Sequence, residues 1–178
     1  MSMRRYLAIA VVGACLLALA PATSAFAGGS TYYVGKNSQG QKLLFSVDQT
    51  SSGPAFDPFF TTMIANCPAT GNQLKIQFSF LGFEIPIKNG KFSLTLNSIT
   101  DRFSWSGTIT SKSASGPESY SLAAFDSGTG LQDCTTGALS WKAKALVAGS
   151  SKPAVPSAAY RVQVSKAADG SVHFTVTH

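Results

Sequence analysis

The chain has 178 residues, 14 basic against 8 acidic, for a formal net charge of +6. After the N-terminal segment the basic residues stand singly, among them Lys36, Lys42, Lys75, Lys88, Lys91, Arg102 and Lys112, with no run or stripe. That pattern argues against a nucleic-acid partner and for an ordinary, mildly positive soluble surface.

The first 27 residues read as a secretory leader. Arg4 and Arg5 make a short basic start, Leu7 to Ala20 is apolar, Pro21 breaks the run, and Ala25-Phe26-Ala27 fits small-x-small cleavage before Gly28. The apolar run is too short for a comfortable membrane span of roughly 20 residues, and no later stretch is long and apolar enough, so no transmembrane segment is expected in the mature chain. Val12-Gly13-Ala14-Cys15 has the outline of a lipobox, but the hydrophobic run continues past Cys15, where a lipidated cysteine should open a polar mature end. Removing residues 1–27 leaves 151 residues and, without the two leader arginines, a charge of +4. That is enough chain for one domain with a sizeable core.

Two cysteines remain, Cys67 and Cys134. In an exported chain they are expected to pair, closing a loop of 67 residues. A metal reading would need more Cys or His at ligand spacing, and only His173 and His178 exist, so no metal or cofactor is expected.

Thr31 to Val34 reads as a short first strand, followed by a turn over Asn37-Ser38-Gln39-Gly40-Gln41. Leu43, Phe45 and Val47 then share one face of a strand from Lys42 to Asp48, because successive strand side chains point to opposite sides. Gln49 to Pro58 reads as a polar loop and Phe59 to Ala65 as a strand leading to Cys67. Leu74, Ile76, Phe78 and Phe80 alternate with polar residues, and Phe83, Ile85 and Ile87 continue to Asn89-Gly90. Asn-Gly is the strongest short hairpin signal, since both turn positions need positive φ. Pro86 lacks an amide hydrogen and belongs at an edge or bulge.

The return strand carries Phe92, Leu94 and Leu96, and the next one Phe103, Trp105, Gly107 and Ile109. Ser111 to Pro117 reads as a turn, Tyr120 and Leu122 as strand, and Asp126 to Gly130 as another turn. Leu139, Trp141, Ala143 and Ala145 alternate after Cys134. Residues 147–157 look like a linker, and residues 158–178 like a hairpin turning at Asp169-Gly170. An isolated hairpin is marginal in water, so it should dock on the main domain at 28–146. The fold expected is all-β: an antiparallel β-sandwich or jelly-roll-like barrel stapled by one disulfide.

Tyr32-Tyr33-Val34-Gly35, Ile87-Lys88-Asn89-Gly90-Lys91-Phe92, Phe103-Ser104-Trp105-Ser106-Gly107 and Cys134-Thr135-Thr136-Gly137-Ala138-Leu139-Ser140-Trp141 follow one another between residues 32 and 145. In this order they resemble exported bacterial all-β domains, actinobacterial ones above all, that have no assigned function. The resemblance implies fold and export and carries over no catalytic residue.

No catalytic constellation stands out. The acids Asp48, Asp57, Glu84, Asp101, Glu118, Asp126, Asp133 and Asp169 fall mostly at turns and read as solvated surface, no Gly-x-Ser-x-Gly elbow occurs, and His173 alternates outward. Asp126 to Asp133 offers turn oxygens to a calcium ion, but only two carboxylates. Trp105 and Trp141 have apolar neighbours at i±2 and read as core rather than as sugar platforms. Tyr32 and Tyr33 point to opposite faces, so one should meet solvent, which makes the pair the candidate ligand-binding residues. The function expected is a secreted, non-enzymatic binding or structural domain for an extracellular ligand, carbohydrate or cell wall first. The alternatives are a small hydrolase with a loop-built site, or a protein-binding inhibitor or adhesion module acting through residues 49–58.

Overall fold

The computed structural model describes residues 29–68, 71–81, 83–98, 101–122, 134–147 and 150–177. The leader and the Asp126 to Asp133 turn lie outside the described residues. Every regular element among the described residues is a strand: β1 (Thr31–Asn37), β2 (Lys42–Thr50), β3 (Gly53–Cys67), β4 (Asn72–Leu81), β5 (Ile85–Pro86), β6 (Lys91–Asn97), β7 (Asp101–Ile109), β8 (Ser113–Leu122), β9 (Cys134–Thr135), β10 (Leu139–Ala145), β11 (Tyr160–Lys166) and β12 (Val172–Thr177).

Hydrogen-bonded neighbours run β12-β11-β4-β3-β2-β1-β10-β8-β7-β6. The two-residue strand β9 pairs with both β3 and β8, so the run β3-β2-β1-β10-β8 closes into a barrel, while β4, β11 and β12 extend the sheet beyond β3. Cys67 ends β3, Cys134 opens β9, and their disulfide fastens this closure. Both cysteines are buried. The expected staple therefore lies at the seam of the barrel. At Asn89-Gly90 both residues have positive φ, 51° and 69°, as a two-residue hairpin turn demands.

The inward faces form one aromatic core around Trp105. Phe59 stacks on it at 3.9 Å, Phe92 lies at 4.4 Å, Phe56 at 4.8 Å and Trp141 at 5.3 Å. Trp105 and Trp141 are core residues, 0% and 1% exposed. The indole Nε1–H of Trp141 donates to the Pro117 carbonyl at 3.2 Å. Gly107 and Gly116 sit where β7 and β8 approach most closely. A Cβ on Gly116 would collide with the Ser106 carbonyl oxygen, and one on Gly107 would lie 2.9 Å from Cζ2 of Trp141. Only glycine fits so close an approach of strand to strand and indole.

Three expectations need correction. Gln49 to Pro58 is not a loop. Thr50 pairs with Gly53 in a tight hairpin turn, and β3 runs from Gly53 onward. Gly53 takes φ 108°, and the register slips between Phe45 and Val47, so Asp57 and Pro58 fall at a bulge where a missing amide hydrogen costs little. A freestanding binding loop at 49–58 is thereby removed.

Ser111 to Pro117 is not a turn either. The turn is held by Thr110 N–H donating to the Ser113 carbonyl at 2.8 Å, and β8 begins at Ser113. The β7–β8 ladder skips from Trp105–Glu118 to Thr108–Ser115, and Pro117 occupies that gap. Lastly, the pairing is not antiparallel throughout: β11 runs parallel to β4, from Tyr160 opposite Ile76 to Ser165 opposite Leu81. The C-terminal hairpin is thus part of the sheet, with Val162 and Val164 buried.

The parallel pairing has a consequence for the segment that precedes it. β10 and β11 stand on opposite sides of β1-β2-β3-β4, so the chain between them must cross those four strands. It does so as an extended strap containing Pro153 and Pro156, over the outer face.

Candidate functional site

The strap roofs a groove whose floor is the outer face of β1, β2, β10 and β8. Antiparallel register fixes which side chains meet there, because directly opposite residues share a face. Lys36 stands across from Lys42 on one side and Lys142 on the other. One pair along, Val34 stands across from Leu44 and Lys144. Lys142 and Lys144 in turn face Ser115 and Ser113 of β8. Leu44 points outward yet is 3% exposed, because the strap covers it.

Pro153, Ala154 and Pro156 complete a cavity of about 770 Å³ lined by Val34, Leu44 and the four lysines. This is within the range of small-molecule pockets. A second cavity of about 450 Å³ adjoins it, lined by Gln41, Lys42, Thr62, Lys75 and strap residues 154–157. Lys42, Ala154 and Pro156 belong to both. Thr62 is 1% exposed, and its hydroxyl has no hydrogen-bond partner among the described residues. That is a cost the fold bears unless something fills the cavity.

The electrostatics of the groove are one-sided. No ammonium group of Lys36, Lys42, Lys75, Lys142 or Lys144 hydrogen-bonds or ion-pairs with a described residue. No described carboxylate lines either cavity. The acid on the same face of β2, Asp48, is six residues beyond Lys42, about 20 Å along the strand. Like charges directly opposite on a sheet repel, so an anion in this row would be stabilised by charge from both neighbours. The lysines look scattered in the sequence and are brought together by three adjacent strands. The Lys36–Lys42 pair could have been found from the symmetric Lys-Asn-Ser-Gln-Gly-Gln-Lys hairpin; Lys142 could not.

A second polar cluster lies inside the barrel. Glu118 of β8 is 2% exposed. Asn37 Nδ2–H donates to its Oε1 at 2.9 Å, and the Thr61 hydroxyl lies 3.4 Å from Oε2. Burial pushes the Glu118 carboxyl up to about 7, against the two hydrogen bonds, which pull it down. Asp101 is also buried and accepts from the Tyr120 hydroxyl at 2.5 Å. Burial first, then the Asp101 carboxylate, drives the Tyr120 hydroxyl far above its ordinary value. These two acids are not solvated surface as expected. They are core groups held by partners, and neither lines a cavity described above.

The sequence candidates divide. Tyr33 is 0% exposed, stacks on Phe45 at 4.9 Å and donates its hydroxyl to the Thr110 carbonyl at 2.8 Å. Burial raises its hydroxyl to about 12. Tyr33 is a core residue. Tyr32 is half-buried, opposite Ser46, and its carbonyl accepts the Leu146 amide at 2.8 Å. It shares the groove's face, one pair beyond Val34, without lining the cavity.

His173 is exposed and meets the Ser171 hydroxyl at 3.0 Å, with Asp169 accepting that hydroxyl at 2.7 Å. The order is wrong for a nucleophile. The serine proton goes to the carboxylate instead of the imidazole, and the carboxylate does not orient the histidine. The hydrogen bonds from Ser171 hold the Asp169 carboxyl below its usual value. The group reads as a turn lock beside Gly170. Among the described residues no three His, Cys, Asp or Glu side chains gather as a metal site, and no helix is long and apolar enough to cross a membrane.

No known protein family matches this chain, and neither does any curated protein or solved structure.

Proposed function

We propose that the chain is an exported, non-enzymatic binding domain that holds an anionic ligand in the strap-covered groove. The observation that carries this is the row Lys42–Lys36–Lys142, three lysines across three neighbouring strands with no described carboxylate among them. A sheet gains nothing from that arrangement by itself. Export rests on the leader, and the disulfide accords with an oxidising compartment. The case for a neutral sugar leaned on an aromatic and Ser/Thr/Asn/Gln-rich surface, but Tyr33, one of the two aromatic candidates, is buried. Charge supports the reading better than stacking does, and an acidic cell-wall component is the form of the cell-wall reading that the groove favours.

The test is a binding series on the mature protein. Polyphosphate, polygalacturonate and a fatty acid would be compared with neutral dextran, each at low and high salt. At least one anionic ligand should bind, more weakly in salt, and a K36Q/K142Q variant should lose that binding. Equal binding of neutral dextran, or binding indifferent to the two substitutions, would overturn the reading.

A further inference from the structure

Resting on that reading of the groove, we infer that its ligand is a single-chain amphiphile with an anionic head, a carboxylate or phosphate on one linear hydrocarbon tail. The two adjoining cavities differ in chemistry, and the difference matches the two ends of such a molecule. The larger is floored by the Val34–Leu44 cross-strand pair and roofed by Pro153 and Pro156. Its lysines can lie along these apolar surfaces by their stems while their ammonium groups stay at the rim. A hydrocarbon tail fits such a space and a polyanion does not, since its charges would be stripped of water against valine, leucine and proline.

The smaller cavity is polar, and Lys42 belongs to both. Thr62 supplies the observation independent of charge. Its buried hydroxyl has no partner among the described residues, and the residue lines the polar cavity. A head-group oxygen there would accept that O–H and lie beside Lys42 and Lys75. Both recognition needs, a neutral donor and a cation, are then met at the place where the apolar channel begins.

The strap suits a ligand that enters from the side. No hydrogen bond joins residues 151–157 to any described residue, so apolar contact at Pro156 and its neighbours holds it down. A tail slid beneath it replaces one apolar contact with another.

The probes are octanoate, laurate, dodecyl phosphate, dodecanol and acetate, all below their micellar concentrations, titrated calorimetrically into the mature protein. Laurate and dodecyl phosphate should bind one to one. Laurate should exceed octanoate by well over tenfold, since each methylene contributes on the order of fourfold. K42Q should weaken laurate about tenfold and leave dodecanol unchanged. T62V removes a hydroxyl that has no partner, so its melting temperature should hold or rise while laurate affinity falls several-fold. Laurate binding no better than acetate, with polyphosphate or polygalacturonate still bound, would overturn the amphiphile and leave the anionic groove standing. Failure of every anion would overturn both. Association with anionic phospholipid vesicles but not with free laurate, or unchanged laurate affinity in T62V and K42Q, would also defeat the inference.

Discussion

Inside the barrel, Asn37 and Glu118 are joined by a 2.9 Å hydrogen bond across 81 residues of sequence. Asn37 serves two purposes at once. Its Oδ1 accepts the amides of Gln39 and Gln41, at 3.1 and 3.0 Å, and so shapes the β1–β2 turn. Its Nδ2 reaches inward to Glu118 and to the Thr62 carbonyl at 3.1 Å. One residue thereby ties the first hairpin to the far wall of the barrel.

This pair makes stability depend on pH. Glu118 titrates near its ordinary 4.5 when unfolded and near 7 when folded. A raised folded value means the native state holds a proton that the unfolded state releases between those limits. The associated stability is fully present below about 4.5 and is lost as pH rises through about 7, a total of about 3 kcal/mol. E118Q keeps an acceptor for Asn37 and a donor for Thr61 and carries no charge. Its unfolding free energy should match wild type near pH 4 and exceed it near pH 8. An identical pH slope in the two proteins, by chemical denaturation, would show that Glu118 is not the group responsible.

The barrel seam depends on the disulfide. A 67-residue loop closed by Cys67–Cys134 restricts the unfolded chain by about 4 kcal/mol on the entropic account. A C67S/C134S variant should lose about that much, measured by urea denaturation against the oxidised protein. Thiol titration of the unreduced mature chain should find no free cysteine; two would refute the pairing.

Close packing requires glycine at three inward positions, Gly35, Gly107 and Gly116. G116A and G107A would drive a methyl group into the neighbouring strand's backbone or the Trp141 ring. Each should cost about 2 kcal/mol or more, in the range of overpacked cores. Gly40 is the control, with φ 74° and open space where a Cβ would go. G40A should cost only about 1 kcal/mol from its left-handed backbone. If thermal melts show G40A as the more damaging, close packing is not what holds Gly107 and Gly116.

The lysine row should strain the empty protein slightly. K36Q relieves repulsion from both Lys42 and Lys142, so the ligand-free protein should melt higher, on the order of 1 °C, at low salt. High salt should erase the difference. A fall in melting temperature would mean that Lys36 has a stabilising partner.

The sequence by itself determined most of the strands, the positive-φ turn at Asn89-Gly90 and the single cysteine pair. These follow from local rules: a period of two, a turn that only certain residues can take, and two cysteines outside the N-terminal segment. It also placed Trp105 and Trp141 inward, because their i±2 neighbours are apolar. The parallel β4–β11 pair was not legible, since alternation says which face a residue occupies and nothing about which strand lies beside it. For the same reason nothing in the sequence placed Lys142 in a row with the Lys36–Lys42 pair. Nor could alternation mark Glu118 and Asp101 as interior, because a polar residue among serines reads as surface until the barrel closes around it and supplies Asn37, Thr61 and Tyr120 as partners. The groove was decided by tertiary structure alone: parallel pairing of the last hairpin sends residues 150–157 across the outer face, and that crossing turns a linker into a roof.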